Sequence, residues 1–131
     1  MSSKVEKYTP ANTMTPVGPY SHISKVGQFI TIGGTAGVDP ETGELAGPDI
    51  ESQTKQILDA FEVMLASVGS SLDHIIHINV FLTNMQDFDR MNAAYVEKIG
   101  DRRPARTAIA VSGLPKPGAL LTMNLTAVTS D

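Results

Sequence analysis

The chain has 131 residues, 41% of them apolar, a formal net charge of −4 and no cysteine. These values predict one globular domain over residues 1–131, and they exclude disulfides, thiolate catalysis and Cys-based zinc sites. The net negative charge argues against general electrostatic binding of nucleic acid. No apolar run approaches the roughly 20 residues that span a membrane. We therefore expect a cytoplasmic protein.

The N-terminal third predicts short strands followed by a long loop. Residues 1–20 are rich in Pro and Thr, and residues 22–26 and 28–33 are β-like runs joined around Gly27, a pattern typical of a hairpin. Residues 37–49 are punctuated by Gly, Pro and Asp and predict a turn-rich loop. The segment GGTAG (33–37) lacks the lysine of a phosphate-binding loop. It predicts a strand end with close backbone approach, or a strand edge whose N–H groups contact a small ligand.

An amphipathic helix is predicted after this loop. Pro48 suits its first turn, Asp49 and Glu51 complement its positive N-terminus, and Gly69 would end it. Its apolar stripe repeats at spacings of three and four, the period of a helix. The stripe consists of Ile50, Thr54, Ile57, Leu58, Phe61, Met64, Leu65 and Val68.

Residues 74–83 (HIIHINVFLT) alternate and predict a strand. One face is wholly apolar and should lie under the helices, whereas the other mixes polar and apolar groups. The apolar face consists of Ile76, Ile78, Val80 and Leu82. The mixed face consists of Ile75, His77, Asn79 and Phe81. Because the mixed face is too polar for a core and too apolar for open water, we expect another subunit to cover it.

A second helix and two further strands complete the pattern. The helical stripe is Phe88, Met91, Asn92, Tyr95 and Ile99. Asn84 or Asp87 can cap this helix and Gly100 can end it. Residues 106–112 and 120–128 alternate and predict strands. The order of elements predicts an α+β fold, with one sheet and two helices packed on a single face, whose open face is buried by self-association.

The histidines give little sign of a metal site. His74 and His77 are three apart on a predicted strand, which places them on opposite faces, and no H-E-x-x-H motif is present. His22 is expected at the surface or in a hydrogen bond. We therefore predict no metal and no cofactor.

Three of the four arginines fall in RRPAR (102–106). Arg102 and Arg103 are expected in a solvated loop. Arg106 begins a strand and shares a face with Ala108 and Ala110, over which its planar guanidinium could reach a carboxylate in a cavity. The alternative is an exposed ion pair of little energetic weight.

Five segments resemble the reactive-intermediate deaminase family, RidA/YjgF, in the same order and with fitting spacing. They are GPYSH (18–22), GGTAGVDPETGEL (33–45), VFLTNMQDFDRMNAAY (80–95), RPARTAIAV (103–111) and LP (114–115). The resemblance implies a chorismate-mutase-like fold, a homotrimer with clefts between subunits, and hydrolysis of small carboxylate-bearing enamines or imines, such as 2-aminoacrylate, to a 2-keto acid and ammonia.

The resemblance also implies roles for individual residues. Arg106 stands at the arginine that clamps the substrate carboxylate, and Tyr20 at the tyrosine that lines the cleft. Asn92 matches an asparagine near the cleft, and Gly34 a glycine whose backbone approaches the ligand. Ala108 stands where the family uses a backbone carbonyl.

Two positions depart from the family pattern. Gly33 replaces a usual serine, and Thr122 replaces the glutamate that orients or activates water, with Leu121 as the other candidate for that place. These departures leave open an aminomuconate-type substrate in a roomier cleft, or a non-catalytic trimer that binds a small molecule. RNA cleavage, also attached to this family, is opposed by the net charge of −4 and the absence of an aromatic stacking platform.

Overall fold

A computed structural model describes residues 4–130. The strands in this range are β1 (Glu6–Tyr8), β2 (Ile23–Val26), β3 (Phe29–Ala36), β4 (Ile75–Leu82), β5 (Ala105–Ala110) and β6 (Leu121–Val128). The α-helices are α1 (Ile50–Ser67) and α2 (Phe88–Ile99). The strands form one sheet in the order β1-β2-β3-β6-β4-β5. The predicted α+β class is confirmed.

The segment that connects two neighbouring strands determines whether they are parallel or antiparallel. The predicted hairpin joins β2 to β3 through Gly27, whose φ of 59° suits a residue without a side chain. The strands β4 and β5 are parallel because α2 crosses between them, while the other neighbours are antiparallel.

The core lies between the helices and one face of the sheet. The apolar stripe of α1 packs on β3 and β6, and α1 packs against α2. Asp49 caps α1 by accepting a hydrogen bond from the backbone N–H of Ser52 at 2.9 Å, so Pro48 precedes the helix and does not belong to its first turn. The hydrogen bonds from Ser52 lower the pKa of Asp49.

The alternation predicted for β4 is wrong at its first two residues. Ile75 is buried and Ile76 is 46% exposed, the reverse of the prediction. The register with β6 shifts between Ile75 and His77, so that β4 carries one extra residue there. Alternation then resumes as predicted, with Ile78 fully buried. Periodicity cannot reveal this bulge because it depends on the partner strand.

A second bulge lies at Gly33 and Gly34. The predicted end of the strand at residue 33 is wrong, because β3 continues to Ala36 after its register with β6 shifts between Ile32 and Thr35. The extra residue turns Thr35 into the core and pairs Ala36 with Thr122. Two glycines accommodate such a bend without side-chain conflict.

Gln53 holds the loops at this end of the sheet. Its buried amide donates hydrogen bonds to the carbonyls of Gly47 (2.9 Å) and Gly118 (3.3 Å) and accepts one from the N–H of Leu120 (2.8 Å). Gly37 approaches so closely that a Cβ there would lie 2.5 Å from the Gln53 carbonyl oxygen. These contacts fix the loop that leads into β6 and therefore the position of Thr122.

The other face of the sheet is open and mixed, as predicted. His77 Nε2 lies 3.1 Å from Asn79 Oδ1 and 3.2 Å from Thr107 Oγ1, and Asn79 donates to Asn124 at 2.9 Å. Apolar side chains flank this polar cluster, among them Ile109, which is 45% exposed. Of the helices in residues 4–130, none has the length and apolar character needed to cross a bilayer.

Candidate functional site

Arg106 lies on the helix-facing side of β5. It is paired with the buried Ile78 in the neighbouring strand, which directs its side chain towards α2. Its guanidinium carbon is 4.7 Å from the centroid of the Tyr95 ring and 5.6 Å from that of Phe88, distances at which an aromatic face attracts a cation. Nη1 lies 4.0 Å from the sulfur of Met91. Within residues 4–130 Arg106 makes no ion pair with a carboxylate.

A cavity of about 530 Å³ opens beside this guanidinium, between α2 and the start of β5. We call it the Arg106 cavity; its polar and loop lining includes Asp89, Asn92, Tyr95, Arg103, Pro104 and Arg106. Two guanidinium groups oppose one carboxylate here, so the local charge favours an anionic ligand.

Two buried polar atoms of α2, the Tyr95 hydroxyl and Asn92 Oδ1, have no hydrogen-bond partner among residues 4–130. Tyr95 is 7% exposed. A buried polar group without a partner costs about 1–3 kcal/mol of stability. Burial raises the pKa of Tyr95, with Arg106 opposing that rise, so the hydroxyl carries its proton at neutral pH.

A second, smaller cavity of about 80 Å³ lies where β3 ends and β6 begins. We call it the Tyr20 cavity; its lining includes Met14, Tyr20, Gly34, Ala36, Lys116 and Thr122. The N-terminal loop is held over it by His22, which is buried and whose Nε2 donates to the Met14 carbonyl at 2.5 Å. His22 therefore has the hydrogen-bonding role that the sequence left open.

The β3 bulge brings Gly34 to this cavity beside Thr122. Leu121 is fully buried in the core, so Thr122 is the residue placed beside the cavity. Gly33 donates its N–H to the His22 carbonyl at 3.0 Å. Among the described residues, no atom beyond the two chain neighbours of Gly33 lies within 4 Å of the place that a Cβ there would occupy, so a serine would fit.

The predicted site residues thus fall into two groups. Arg106 and Asn92 share the Arg106 cavity, while Tyr20, Gly34 and Thr122 share the Tyr20 cavity. Ala108 lies two residues beyond Arg106 on the same strand face, where it packs against the core. No cavity within one chain joins the two groups among the residues described.

The chain is similar to known proteins over most of its length. The sequence model of the family described as endoribonuclease L-PSP matches residues 10–129. The chain belongs to this RidA/YjgF family. A RutC family protein of Pyrococcus horikoshii is 44% identical over 105 residues, which are 80% of this chain and 83% of that protein.

Solved structures of the RidA/YjgF family superpose over nearly the whole chain. RidA from the Antarctic bacterium Psychrobacter is 31% identical, with a TM-score of 0.89, over 94% of this chain and 98% of that one. The structure of E. coli TdcF with bound serine is 26% identical, with a TM-score of 0.88, over 95% and 99% of the two chains.

Arg102 and Arg103 are exposed, as predicted for this RidA/YjgF protein. The prediction did not include their contacts: Arg102 pairs with Asp73 at 2.7 Å and donates to the carbonyl of Lys98 at 3.1 Å, which holds the end of α2. Arg103, with a left-handed φ of 35°, lines the Arg106 cavity. The left-handed backbone depends on the turn after α2, which residue spacing does not reveal.

Sequence reasoning also missed the role of Phe88 and Tyr95. Both belong to the predicted apolar stripe of α2, and their spacing of seven residues puts them on one face. The pattern predicts burial but not that a cation lies over the rings. Elsewhere in residues 4–130 no group of three or more His, Asp or Glu side chains is arranged to hold a metal ion.

Proposed function

We propose that this protein is a deaminase that hydrolyses small carboxylate-bearing enamines or imines of the 2-aminoacrylate type to a 2-keto acid and ammonia. The observation that carries the proposal is Arg106, a guanidinium that has no carboxylate partner in the part of the chain that the structure describes and is stacked on Tyr95 beside a cavity large enough for a small ligand. The rigid fork of an arginine matches a carboxylate in two parallel hydrogen bonds.

In the proposed reaction Arg106 holds the substrate carboxylate. The enamine takes a proton at its terminal carbon and becomes an iminium ion, and water adds to the C=N carbon. A proton of that water moves to the nitrogen, the C–N bond breaks to release ammonia, and the remaining hydroxyl returns its proton to solvent as the keto group forms. The backbone carbonyl of Ala108 and the hydroxyl of Thr122 are assigned to orient the amine and the water. A threonine cannot act as a carboxylate base, whose loss typically reduces rates about 10²–10⁴-fold, so we expect modest turnover.

We further propose a homotrimer with a cleft at each subunit interface. Two observations support it: the open sheet face exposes apolar side chains around a polar cluster, and the two groups of site residues occupy separate cavities of one chain. A neighbouring copy could bring its Tyr20 cavity to the Arg106 cavity, and closed symmetry would make three equivalent clefts.

Two other functions have specific support. The volume of about 530 Å³ suits a substrate larger than 2-aminoacrylate, such as an aminomuconate. The threonine at position 122 favours a trimer that binds a 2-keto acid or amino acid without turnover, and E. coli TdcF was crystallised with bound serine. The RNA cleavage named in the family description has weaker support, because the net charge is −4 and Arg106 lies in a cavity and not on a basic surface.

The test generates 2-aminoacrylate in situ with a pyridoxal-phosphate dehydratase and follows keto-acid formation above the rate in buffer. We expect acceleration by the wild type, none by Arg106→Ala, and partial loss in Arg106→Lys, which keeps the charge but not the fork. Arg90→Gln is the matched control, because Arg90 pairs with Glu51 on the surface. Equal rates for wild type, Arg106→Ala and buffer would refute deamination of this substrate.

If the wild type is inactive yet binds pyruvate through Arg106, the non-catalytic binder becomes the better description. If the wild type hydrolyses an aminomuconate but not 2-aminoacrylate, the better description is a deaminase with a larger cleft.

A further inference from the structure

The four arginines of the chain divide into two pairs. Arg90 and Arg102 each form an ion pair with an exposed carboxylate. Arg103 and Arg106 have no carboxylate partner among residues 4–130, and both line the Arg106 cavity. The two guanidinium groups that the fold does not pair with an acid are therefore brought together at one site.

The backbone of Arg103 explains how it reaches this cavity. Residues three apart in a continuous strand lie on opposite faces, so a regular strand through Pro104 would separate Arg103 from Arg106. Arg103 instead has a left-handed backbone with a φ of 35°, the one positive φ outside glycine in the part of the chain that the structure describes. A glycine or an asparagine adopts this conformation more readily than an arginine. The turn alone therefore does not account for an arginine at this position.

The Arg103 side chain follows the wall of the cavity. Its Nε donates a hydrogen bond to the carbonyl of Gly100 at 3.4 Å, and Gly100 also lines the cavity. Arg103 is exposed, so its guanidinium is accessible to a ligand. Because Arg106 is three residues further along the chain, the two backbones are at most about 10 Å apart. A small molecule with an acid group at each end can therefore contact both guanidinium groups.

The cavity is elongated along α2. Its lining includes Asp89, Asn92, Val96 and Gly100, which are three or four residues apart and form one stripe along the helix and its C-terminal end. At the rise of an α-helix this stripe is about 16 Å long. Asp89, the acidic residue of the lining, lies at the end of the stripe away from Gly100 and Arg103. It therefore does not neutralise Arg103, which leaves that end of the cavity positively charged.

We propose that Arg103 is a specificity-determining residue that binds a second acid group of the substrate. The ligand class is a small dicarboxylate: Arg106 holds the carboxylate next to the reacting carbon, and Arg103 holds the carboxylate at the far end. The planar fork of each arginine matches a carboxylate in two parallel hydrogen bonds. The inference rests on the carboxylate clamp of the proposed function, and it adds a second cation that the clamp does not require. A monocarboxylate such as 2-aminoacrylate would contact only Arg106.

The experiment compares calorimetric binding of 2-oxoglutarate and 2-oxopentanoate. These acids have the same number of carbon atoms, and they differ only in that the first ends in a carboxylate and the second in a methyl group. We expect the wild type to bind 2-oxoglutarate at least about five-fold more tightly, because charge-assisted hydrogen bonds form at the far end. Arg103→Gln should reduce this ratio to about one and leave the affinity for 2-oxopentanoate unchanged. Arg103→Lys, which keeps the charge but not the fork, should give an intermediate ratio.

Two further variants serve as controls. Arg90→Gln removes the same charge outside the cavity and should keep the wild-type ratio. Arg106→Ala should weaken the binding of both acids, since both place a carboxylate at Arg106. Urea unfolding confirms that each variant is folded.

A wild-type ratio near one, an unchanged ratio in Arg103→Gln, an equal decrease in Arg90→Gln, or no binding of either acid would overturn the inference. Its failure is separable from that of the proposed reaction. Arg106-dependent turnover of 2-aminoacrylate with an unchanged ratio in Arg103→Gln would reject the second acid-binding position alone. A ratio that collapses in Arg103→Gln, in a protein without turnover, would retain this position and reject the deaminase.

Discussion

Arg106 and Thr122 lie on opposite faces of the same sheet, with one strand between them. Arg106 pairs with Ile78 and faces α2, whereas Thr122 pairs with Phe81 and faces the Tyr20 cavity. Two strand spacings across and three residues along separate their backbones by about 14 Å. A small substrate therefore cannot contact both side chains within one chain, and a composite cleft is the arrangement in which both could act.

This relationship predicts complementation between inactive subunits. If each cleft takes Arg106 from one subunit and Tyr20 from its neighbour, trimers co-assembled from equal amounts of Arg106→Ala and Tyr20→Ala chains should regain about a quarter of wild-type activity, the fraction of interfaces with both intact residues. Each variant alone should remain inactive. Keto-acid formation measures the recovery, and mixed trimers no more active than the separate variants would contradict a shared cleft.

Replacement of Thr122 by glutamate tests whether the lack of the family's glutamate at this position limits turnover. Thr122→Glu places a carboxylate at the wall of the Tyr20 cavity, where Lys116 can balance its charge. We expect keto-acid formation to rise about ten- to a hundred-fold, part of what a positioned base supplies. Val63→Glu, which adds the same charge on the exposed side of α1, is the control and should not change the rate. An unchanged rate in Thr122→Glu would show that another group handles the proton or that chemistry is not limiting.

The class of fold was predictable because α1 and β6 carry an unbroken period. The stripe of α1 and the alternation of Leu121, Met123 and Leu125 record burial residue by residue, and both are confirmed. The bulges at Ile76 and at Gly33 and Gly34 were not predictable, because register depends on a partner strand distant in sequence. Arg106 could be predicted from the sequence as a candidate ligand-binding residue. Its stacking on Tyr95 could not, because it depends on how α2 packs over β5, which no local pattern encodes.

Gly37 should be the glycine of GGTAG that stability requires. A Cβ at Gly37 would meet the Gln53 backbone at 2.5 Å, so Gly37→Ala must displace the start of α1 and should lower the free energy of unfolding by about 2–4 kcal/mol. Gly33→Ala, where nothing lies within 4 Å, should change it by less than about 1 kcal/mol. Urea unfolding of the two variants gives the comparison, and equal losses would contradict it.

The open sheet face should be required for assembly. Ile109→Asp places a charge on this face and should shift the protein from trimer to monomer in light scattering at micromolar concentration, because burial of an unpaired carboxylate opposes association. Val63→Asp is a matched control, since Val63 on α1 is 41% exposed and Ile109 is 45% exposed. A monomeric wild type, or an Ile109→Asp variant that remains trimeric, would contradict burial of this face.

The Tyr95 hydroxyl should make the free energy of unfolding depend on pH in the alkaline range. Burial raises the pKa of Tyr95 above its ordinary value of 10.0, so the folded state holds this proton more tightly than the unfolded state. The associated stability is fully present below pH 10 and is lost as the pH rises through the folded pKa, with a slope of up to about 1.4 kcal/mol per pH unit.

Tyr95→Phe removes this dependence. At pH 7 the variant should be as stable as the wild type, or more stable by up to about 1 kcal/mol, because it also removes a buried unpaired hydroxyl. Urea midpoints from pH 7 to 11 test both statements. A Tyr95→Phe variant that is less stable than wild type at pH 7 would mean that the hydroxyl stabilises the fold, and it would contradict the second statement.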